Sequence, residues 1–166
     1  MNATSTTTTG TAKVTLIDDD QILITRDFNA PKHLVYKAYT TPELVERWWS
    51  GDQGAKVSAE IDLRVGGRWR YFMAGDGWEV GFHGVYREVV EAERLVYTEV
   101  YEGIPDGEEQ AAVVTTTYTE VDGRTRLDIH ILHTTPEGRT AHIESGMETG
   151  MQSALDHLER VAVSLV

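Results

Sequence analysis

The stretch TPEGRTAHIESGMETGMQSALDHLERVAVSLV, Thr135 to Val166, decides the fold, because no other long segment of the chain sustains helical periodicity. At ~100° per residue, Ile143, Met147, Met151, Ala154, Leu158, Val161 and Leu165 fall on one face, and that face must be buried. Thr135, Pro136 and Glu137 supply an N-cap, a proline at the first helical position and an acid in the first turn, so the helix starts here. Gly146 and Gly150 sit along the edge of the apolar stripe, although a glycine inside a helix costs ~1 kcal/mol relative to alanine. Either the backbone there approaches another element closely, or the missing side chains leave room for something else.

Working back from this helix, Asp122-Gly123 is a two-residue hairpin signal between threonine-rich strands. Counting outward from it opposes Tyr118 to Leu127, Thr116 to Ile129 and Val114 to Ile131, a face that must look inward. The other face pairs Thr119 with Arg126, Thr117 with Asp128 and Thr115 with His130, and its composition is that of a solvated surface. Thr116 is then a polar group among inward residues, where a hydroxyl bonds a nearby carbonyl or orients a ligand.

Strands continue backwards through 94–101 and 78–90 to Lys56, with Gly66-Gly67 reading as a tight turn. Pairing about that turn puts Trp69, Tyr71 and Met73 on one face with Glu60, Asp62 and Arg64, and Ile61, Leu63, Val65 and Phe72 on the other. Both faces carry apolar weight, so this pairing leaves the inward one undecided. Ahead of these strands, Ala30-Pro31 and Thr41-Pro42-Glu43 open two short helices in tandem, which end on Trp48 and Trp49. Residues 13–17 and 21–28 form a first strand broken by Asp18, Asp19 and Asp20. Residues 1–12 are expected to be a disordered threonine-rich tail, and 13–166 a single domain. Antiparallel strands with one apolar face, two short helices and a long final helix describe an α+β domain whose sheet wraps that helix.

The formal net charge of −12 and the isoelectric point near 4.8 argue against nucleic acid or an anionic membrane as partner, since both need a basic footprint. The chain has no cysteine, so disulfide and thiol chemistry are excluded. Its N-terminus has neither the basic region nor the apolar core of a signal peptide, and no apolar run approaches the ~18 residues of a membrane span. A cytoplasmic protein is the expectation.

Several short motifs occur in order along the chain. They are Phe28-Asn29-Ala30-Pro31, Thr41-Pro42-Glu43-Leu44 running into Trp48-Trp49, Val65-Gly66-Gly67 before Trp69, and Gly84 before Tyr86-Arg87-Glu88. Glu93-Arg94-Leu95-Val96-Tyr97, Gly123 before Thr125-Arg126-Leu127, and Ser145-Gly146-Met147-Glu148 with Gly150 follow. Together they resemble the SRPBCC (START-like) superfamily, and within it the domain shared with activators of the heat-shock chaperone ATPase, over about Ile22 to Val163. The resemblance implies a helix-grip fold with a deep cavity between a curved sheet and the C-terminal helix, filled in related proteins by lipids, sterols, polyketides or other largely apolar molecules. A scaffold of this kind hosts many functions, so the site has to carry the assignment.

The residues give little support to catalysis, which needs convergent acid, base or nucleophile in a pocket. His83 stands alone on a strand, and His130 and His133 are three apart on another, so they point to opposite faces. His142 and His157 lie on the final helix away from its stripe. No zinc spacing, nucleophile elbow or phosphate-binding glycine loop is present, and no metal or cofactor is expected. An apolar cavity asks for less, and the candidates to line it are Trp48, Trp49, Trp69, Tyr71, Trp78, Phe82, Tyr86, Tyr97, Thr116, Tyr118, Met147, Gly150 and Met151. The expected function is binding of a hydrophobic small molecule, a lipid, polyketide or similar natural product. Two alternatives come with the resemblance: self-sacrifice resistance in an enediyne producer, and a chaperone-interaction module. A homodimer is left open.

Overall fold

The computed structural model describes residues 4–9 and 12–166. The element order is β1 (Thr4–Thr9), β2 (Ala12–Ile17), β3 (Gln21–Phe28), α1 (Lys32–Thr40), α2 (Pro42–Trp48) and a 3-10 turn (Gly51–Gln53). It continues with β4 (Lys56–Ile61), β5 (Arg68–Gly75), β6 (Trp78–Val90), β7 (Arg94–Tyr101), β8 (Ala112–Val121), β9 (Arg124–Leu132), α3 (Pro136–Glu144) and α4 (Met147–Ser164). Among the described residues the strands form one antiparallel sheet in the order β1-β2-β3-β9-β8-β7-β6-β5-β4. Helices α1, α2 and α4 contact one another, and their apolar residues share one core with the inner face of the sheet. The architecture is α+β, with the long C-terminal helix held against an antiparallel sheet.

The β8–β9 hairpin has the register that Asp122-Gly123 dictates. Both turn residues have positive φ, 54° and 77°, which matches the twist of the flanking strands. Tyr118 faces Leu127, Thr116 faces Ile129 and Val114 faces Ile131, and all six are buried. Next to β9, the inward residues of β3 are Ile22, Ile24 and Arg26, opposite Ile131, Ile129 and Leu127. A charged side chain therefore enters the core at Arg26.

Four features differ from the expectations. Asp18–Asp20 is not a break in one strand but the turn of a β2–β3 hairpin, with Ile17 opposite Gln21 and Asp18 at φ 50°. Aspartate tolerates the left-handed region better than most residues, and Gln21 Nε2 donates to Asp18 Oδ2 across the turn at 3.3 Å. Gly66-Gly67 is not a two-residue hairpin turn: Ile61 faces Trp69, so residues 62–67 all belong to the β4–β5 loop. That shift puts Val57, Ala59 and Ile61 on the side of Trp69, Tyr71 and Met73, and makes it the inward one. The final helical stretch is two helices, because Gly146 adopts φ 84° and ends the run begun at Pro136. Lastly, Thr4–Thr9, placed in the tail by composition, is a strand paired with β2; its β-branched threonines suit an extended backbone. The other residues assigned to that tail, 1–3, 10 and 11, lie outside the described ones, and Ala12 opens β2.

Candidate functional site

The inner face of β5, β6 and β7 is built from aromatic side chains in register. Tyr71 lies opposite Phe82, Phe82 opposite Tyr101 and Tyr86 opposite Tyr97, so strand alternation points all of them to the helix side. Helices α1 and α2 lay Tyr36, Tyr39, Trp48 and Trp49 over this face. Tyr39 stacks on Trp48 at 5.5 Å, while Trp49 meets Tyr71 at 5.5 Å and Phe82 at 5.9 Å, both edge to face. Trp69 bridges Tyr71 at 4.9 Å and Tyr97 at 5.4 Å, and Tyr36 and Tyr39 both contact Tyr118. Such edge-to-face pairs contribute ~0.5–1.5 kcal/mol each beyond area burial.

The polar ends of these rings are largely tied to protein. Tyr39 and Tyr97 share a hydroxyl–hydroxyl bond of 2.8 Å, Thr116 Oγ1 donates to the Tyr118 hydroxyl at 3.2 Å, and the Tyr71 hydroxyl donates to the Tyr39 carbonyl at 3.4 Å. Trp48 Nε1 donates to the Ala38 carbonyl and Trp69 Nε1 to the Thr98 carbonyl. Burial pushes the hydroxyls of Tyr39, Tyr71, Tyr86, Tyr97 and Tyr118 above their ordinary range. They stay neutral and serve as hydrogen-bonding groups, not bases.

Glu99 brings a charge to this face. It follows Leu95 and Tyr97 in the alternation of β7, lies opposite the buried Ala112 of β8, and is flanked along its own strand by Tyr97 and Tyr101. Continuing the β6–β7 register brings Gly84 across from it. Trp69 crosses that glycine to reach Thr98, and a Cβ on Gly84 would meet the Thr98 carbonyl oxygen at 1.8 Å and Trp69 Nε1 at 2.7 Å. Only glycine fits there. Among the described residues Glu99 makes no hydrogen bond and no ion pair, and its charge is felt by the hydroxyls of Tyr39, Tyr71 and Tyr97. Desolvation pushes its carboxyl up to about 7, although part of the side chain stays open to solvent. The composition of β7 hides this residue, since a glutamate in a strand reads as solvated. Its phase with Leu95, Tyr97 and Tyr101 is the signal that points it inward.

The cavity candidates therefore divide. Trp48, Trp49, Trp69, Tyr71, Phe82, Tyr86, Tyr97, Thr116 and Tyr118 come together on the inner face; Trp49 and Phe82 are half-buried at its rim, beside the exposed Tyr101. Met151 is half-buried against the same core. Trp78 is exposed at the start of β6 and packs over Gly75. Gly150 faces the 3-10 turn, where an added Cβ would lie 3.9 Å from Gln53 Nε2. Met147 lines a separate recess of about 160 Å³ with Val14, Leu16, Ile143 and Gly146, beside the break between α3 and α4.

A larger, open recess of about 330 Å³ lies over β4–β6, lined by Glu60, Arg68, Trp69, Arg70, His83, Gly84 and Glu102. Arg70, His83 and Glu102 are tied together there. Arg70 donates to both oxygens of Glu102 at 2.8 and 3.0 Å, while His83 bridges Glu102 and Glu108, each at 2.7 Å. The Arg70 hydrogen bonds hold Glu102 well below the usual carboxylate range, and those to Glu108 and Glu102 raise His83 despite its partial burial. This network ties the loop after β7 to β5 and β6. At the other end of the sheet His133 Nε2 and His142 Nδ1 are 3.0 Å apart, and burial lowers His142 to about 4. Among the described residues no cluster of three or more His, Asp or Glu is arranged to hold a metal, and no helix is long and apolar enough to cross a membrane.

An antiparallel sheet holding a long C-terminal helix, with two short helices over one end, defines the helix-grip class. Residues 29–162 match the family described as Activator of Hsp90 ATPase homolog 1-like protein, and the chain belongs to that family, within the SRPBCC superfamily. Similar solved structures include a Rhodobacter sphaeroides protein (TM-score 0.78, 27% identity, covering 89% of this chain and 95% of that one). A second is Ms6760 from Mycobacterium smegmatis (TM-score 0.77, 26% identity, 87% and 91%). CalU16 from Micromonospora echinospora aligns at TM-score 0.59 and 24% identity over 98% of this chain and 85% of that one, which shows the fold alone. None of the curated proteins matches the chain.

Proposed function

We propose that the protein binds a largely apolar small molecule on the inner face of β5–β7, beneath α1, α2 and the C-terminal helix α4. The observation that supports this reading is the graded exposure of one aromatic cluster. Deep in it, Tyr39, Trp48, Trp69, Tyr71, Tyr97 and Tyr118 are buried with their polar ends bonded. At its rim Trp49, Phe82 and Tyr101 keep ring surface open to solvent, so an apolar ligand gains burial there without breaking a hydrogen bond. The ligand is held by ring faces and needs no metal. The self-sacrifice and chaperone alternatives have no residue in the site that favours them over simple binding.

Titration with the uncharged fluorescent probe N-phenyl-1-naphthylamine tests the reading. Trp49→Ala is expected to weaken binding about tenfold, as loss of a rim anchor does, while Trp78→Ala and EDTA leave the titration unchanged. Equal affinity for wild type and Trp49→Ala, or loss of binding in EDTA, would overturn it.

A further inference from the structure

Resting on that binding reading, we propose that the ligand carries a protonated amine, and that Glu99 together with the rings of Phe82, Tyr101 and Trp49 receives it. Glu99 stands on the inner face between Tyr97 and Tyr101; Phe82 lies across from Tyr101, 5.3 Å between ring centroids, and Trp49 stands over Phe82 at 5.9 Å. A carboxylate bordered by aromatic faces is the chemistry that recognises an ammonium group, by direct charge pairing and by attraction to the ring faces. The hydroxyls nearest to Glu99 do not compete for the role. Tyr39 and Tyr97 are bonded to each other, and Tyr71 donates to a backbone carbonyl. Glu99 is then the charged group that a polar end of a ligand seated here meets.

Charge decides between an amine and other head groups. An anion would face both Glu99 and a chain of net charge −12. A neutral donor would satisfy one lone pair while leaving a desolvated charge uncompensated, whereas an ammonium neutralises it. The contrast with two other sites is direct: Glu102 pairs with Arg70 and His83, and Asp156 and Glu159 pair with Arg26, while among the described residues Glu99 has no cation. The titratable groups that sense the charge of Glu99 are Tyr39 of α1, Tyr71 of β5 and Tyr97 of its own strand, all neutral, and among the described residues no charged group of a neighbouring element offsets its desolvation. An ammonium docked on Glu99 has to displace the proton that desolvation favours, so binding weakens on acidification and releases a proton.

The experiment is calorimetric titration with the matched pair 1-naphthylmethylamine and 1-naphthalenemethanol, at pH 8 and at pH 5.5. At pH 8 the amine is expected to bind at least about tenfold tighter than the alcohol, and in buffers of different ionisation enthalpy near pH 7 its binding should show proton release. The amine-to-alcohol ratio should fall towards one at pH 5.5, and in Glu99→Gln and Glu99→Ala at pH 8. The second variant keeps the test alive if the first does not fold. Equal affinities for amine and alcohol in the wild type, or a ratio that survives both substitutions, would overturn the amine assignment while leaving apolar binding intact. Failure of both compounds to bind would remove the binding reading and this inference together.

Discussion

Arg26 and Glu99 both project from the sheet towards the helices, yet their surroundings are opposite. Arg26 is 5% exposed and fully engaged: it donates to the Leu155 carbonyl, to Asp156 at 2.8 Å and to Glu159 at 3.2 Å, with its guanidinium 4.8 Å above the Phe28 ring. Glu159 also accepts from the Asn29 backbone N–H, so the same carboxylate ties α4 to the start of the segment after β3. Among the described residues Glu99 has no such set. A buried charge with a complete set of partners fixes the position of an element, here α4 on β3. A desolvated charge without partners is a standing cost to stability, and folds retain such costs where a ligand meets them.

The sharpest way to break this comparison is to remove the satisfied charge. Arg26→Ala takes away the cation shared by Asp156 and Glu159 and opens a gap under α4, so it should lower unfolding free energy by ~3–5 kcal/mol in urea denaturation. The Asp156 side chain is 46% exposed, which places the value towards the lower end of that range. A loss below ~1 kcal/mol would mean that the clasp is a surface pair in effect, and the contrast with Glu99 would go.

For Glu99 the effect reverses sign. Desolvation pushes its folded carboxyl up to about 7 from an ordinary 4.5, so the folded state binds more protons than the unfolded between those values. Stability linked to this group is present at low pH and is lost as pH rises from about 4.5 to about 7. Glu99→Gln should therefore raise stability by ~1–3 kcal/mol at pH 8 and change little at pH 4.5. Urea midpoints of both proteins across that window check it. A glutamine that destabilises at pH 8 would show that the carboxylate has a partner in solution.

Where a short turn pinned the register, the sequence was enough. Asp122-Gly123 determines the inward face of β8 and β9, and Thr116 is buried there with its hydroxyl on the Tyr118 hydroxyl, not on the carbonyl expected of it. Gly66-Gly67 misleads because its conformational freedom serves another contact. The Gly66 N–H donates to the Tyr86 carbonyl at 2.8 Å, the Tyr86 N–H donates to the Gly67 carbonyl at 2.9 Å, and a Cβ on Gly67 would strike the Asp62 carbonyl oxygen at 2.0 Å. The pair is thus stitched to β6, a long-range relation that local composition does not encode. Most of the aromatic site was legible as an excess of rings, since strand alternation gathers rings of like parity. Trp78 and Met147 were not separable from it, because their exposure and neighbours depend on where β6 begins and where α3 ends. Glu99 is hard to read because its residue type argues for solvent while its phase with Leu95 and Tyr97 argues for the inner face.

The smallest expected effects come from the two glycines at the head of α4, and they sharpen what holds the helix that Arg26 grips. Gly146 sits at φ 84° with open space around it, so a side chain meets a conformational cost and no clash. Gly146→Ala should therefore lose ~1 kcal/mol, and by straining the break it should loosen Met147 from its recess with Val14 and Leu16. Gly150 has helical backbone inside α4 and only Gln53 within reach, at 3.9 Å, so Gly150→Ala should gain ~0.5–1 kcal/mol through helix propensity. Paired thermal melts of the two variants read the difference. If both were neutral, the break at Gly146 would be frayed in solution and α4 would begin further along the chain. If Gly150→Ala were destabilising instead, the 3-10 turn would press on the helix more closely than 3.9 Å allows.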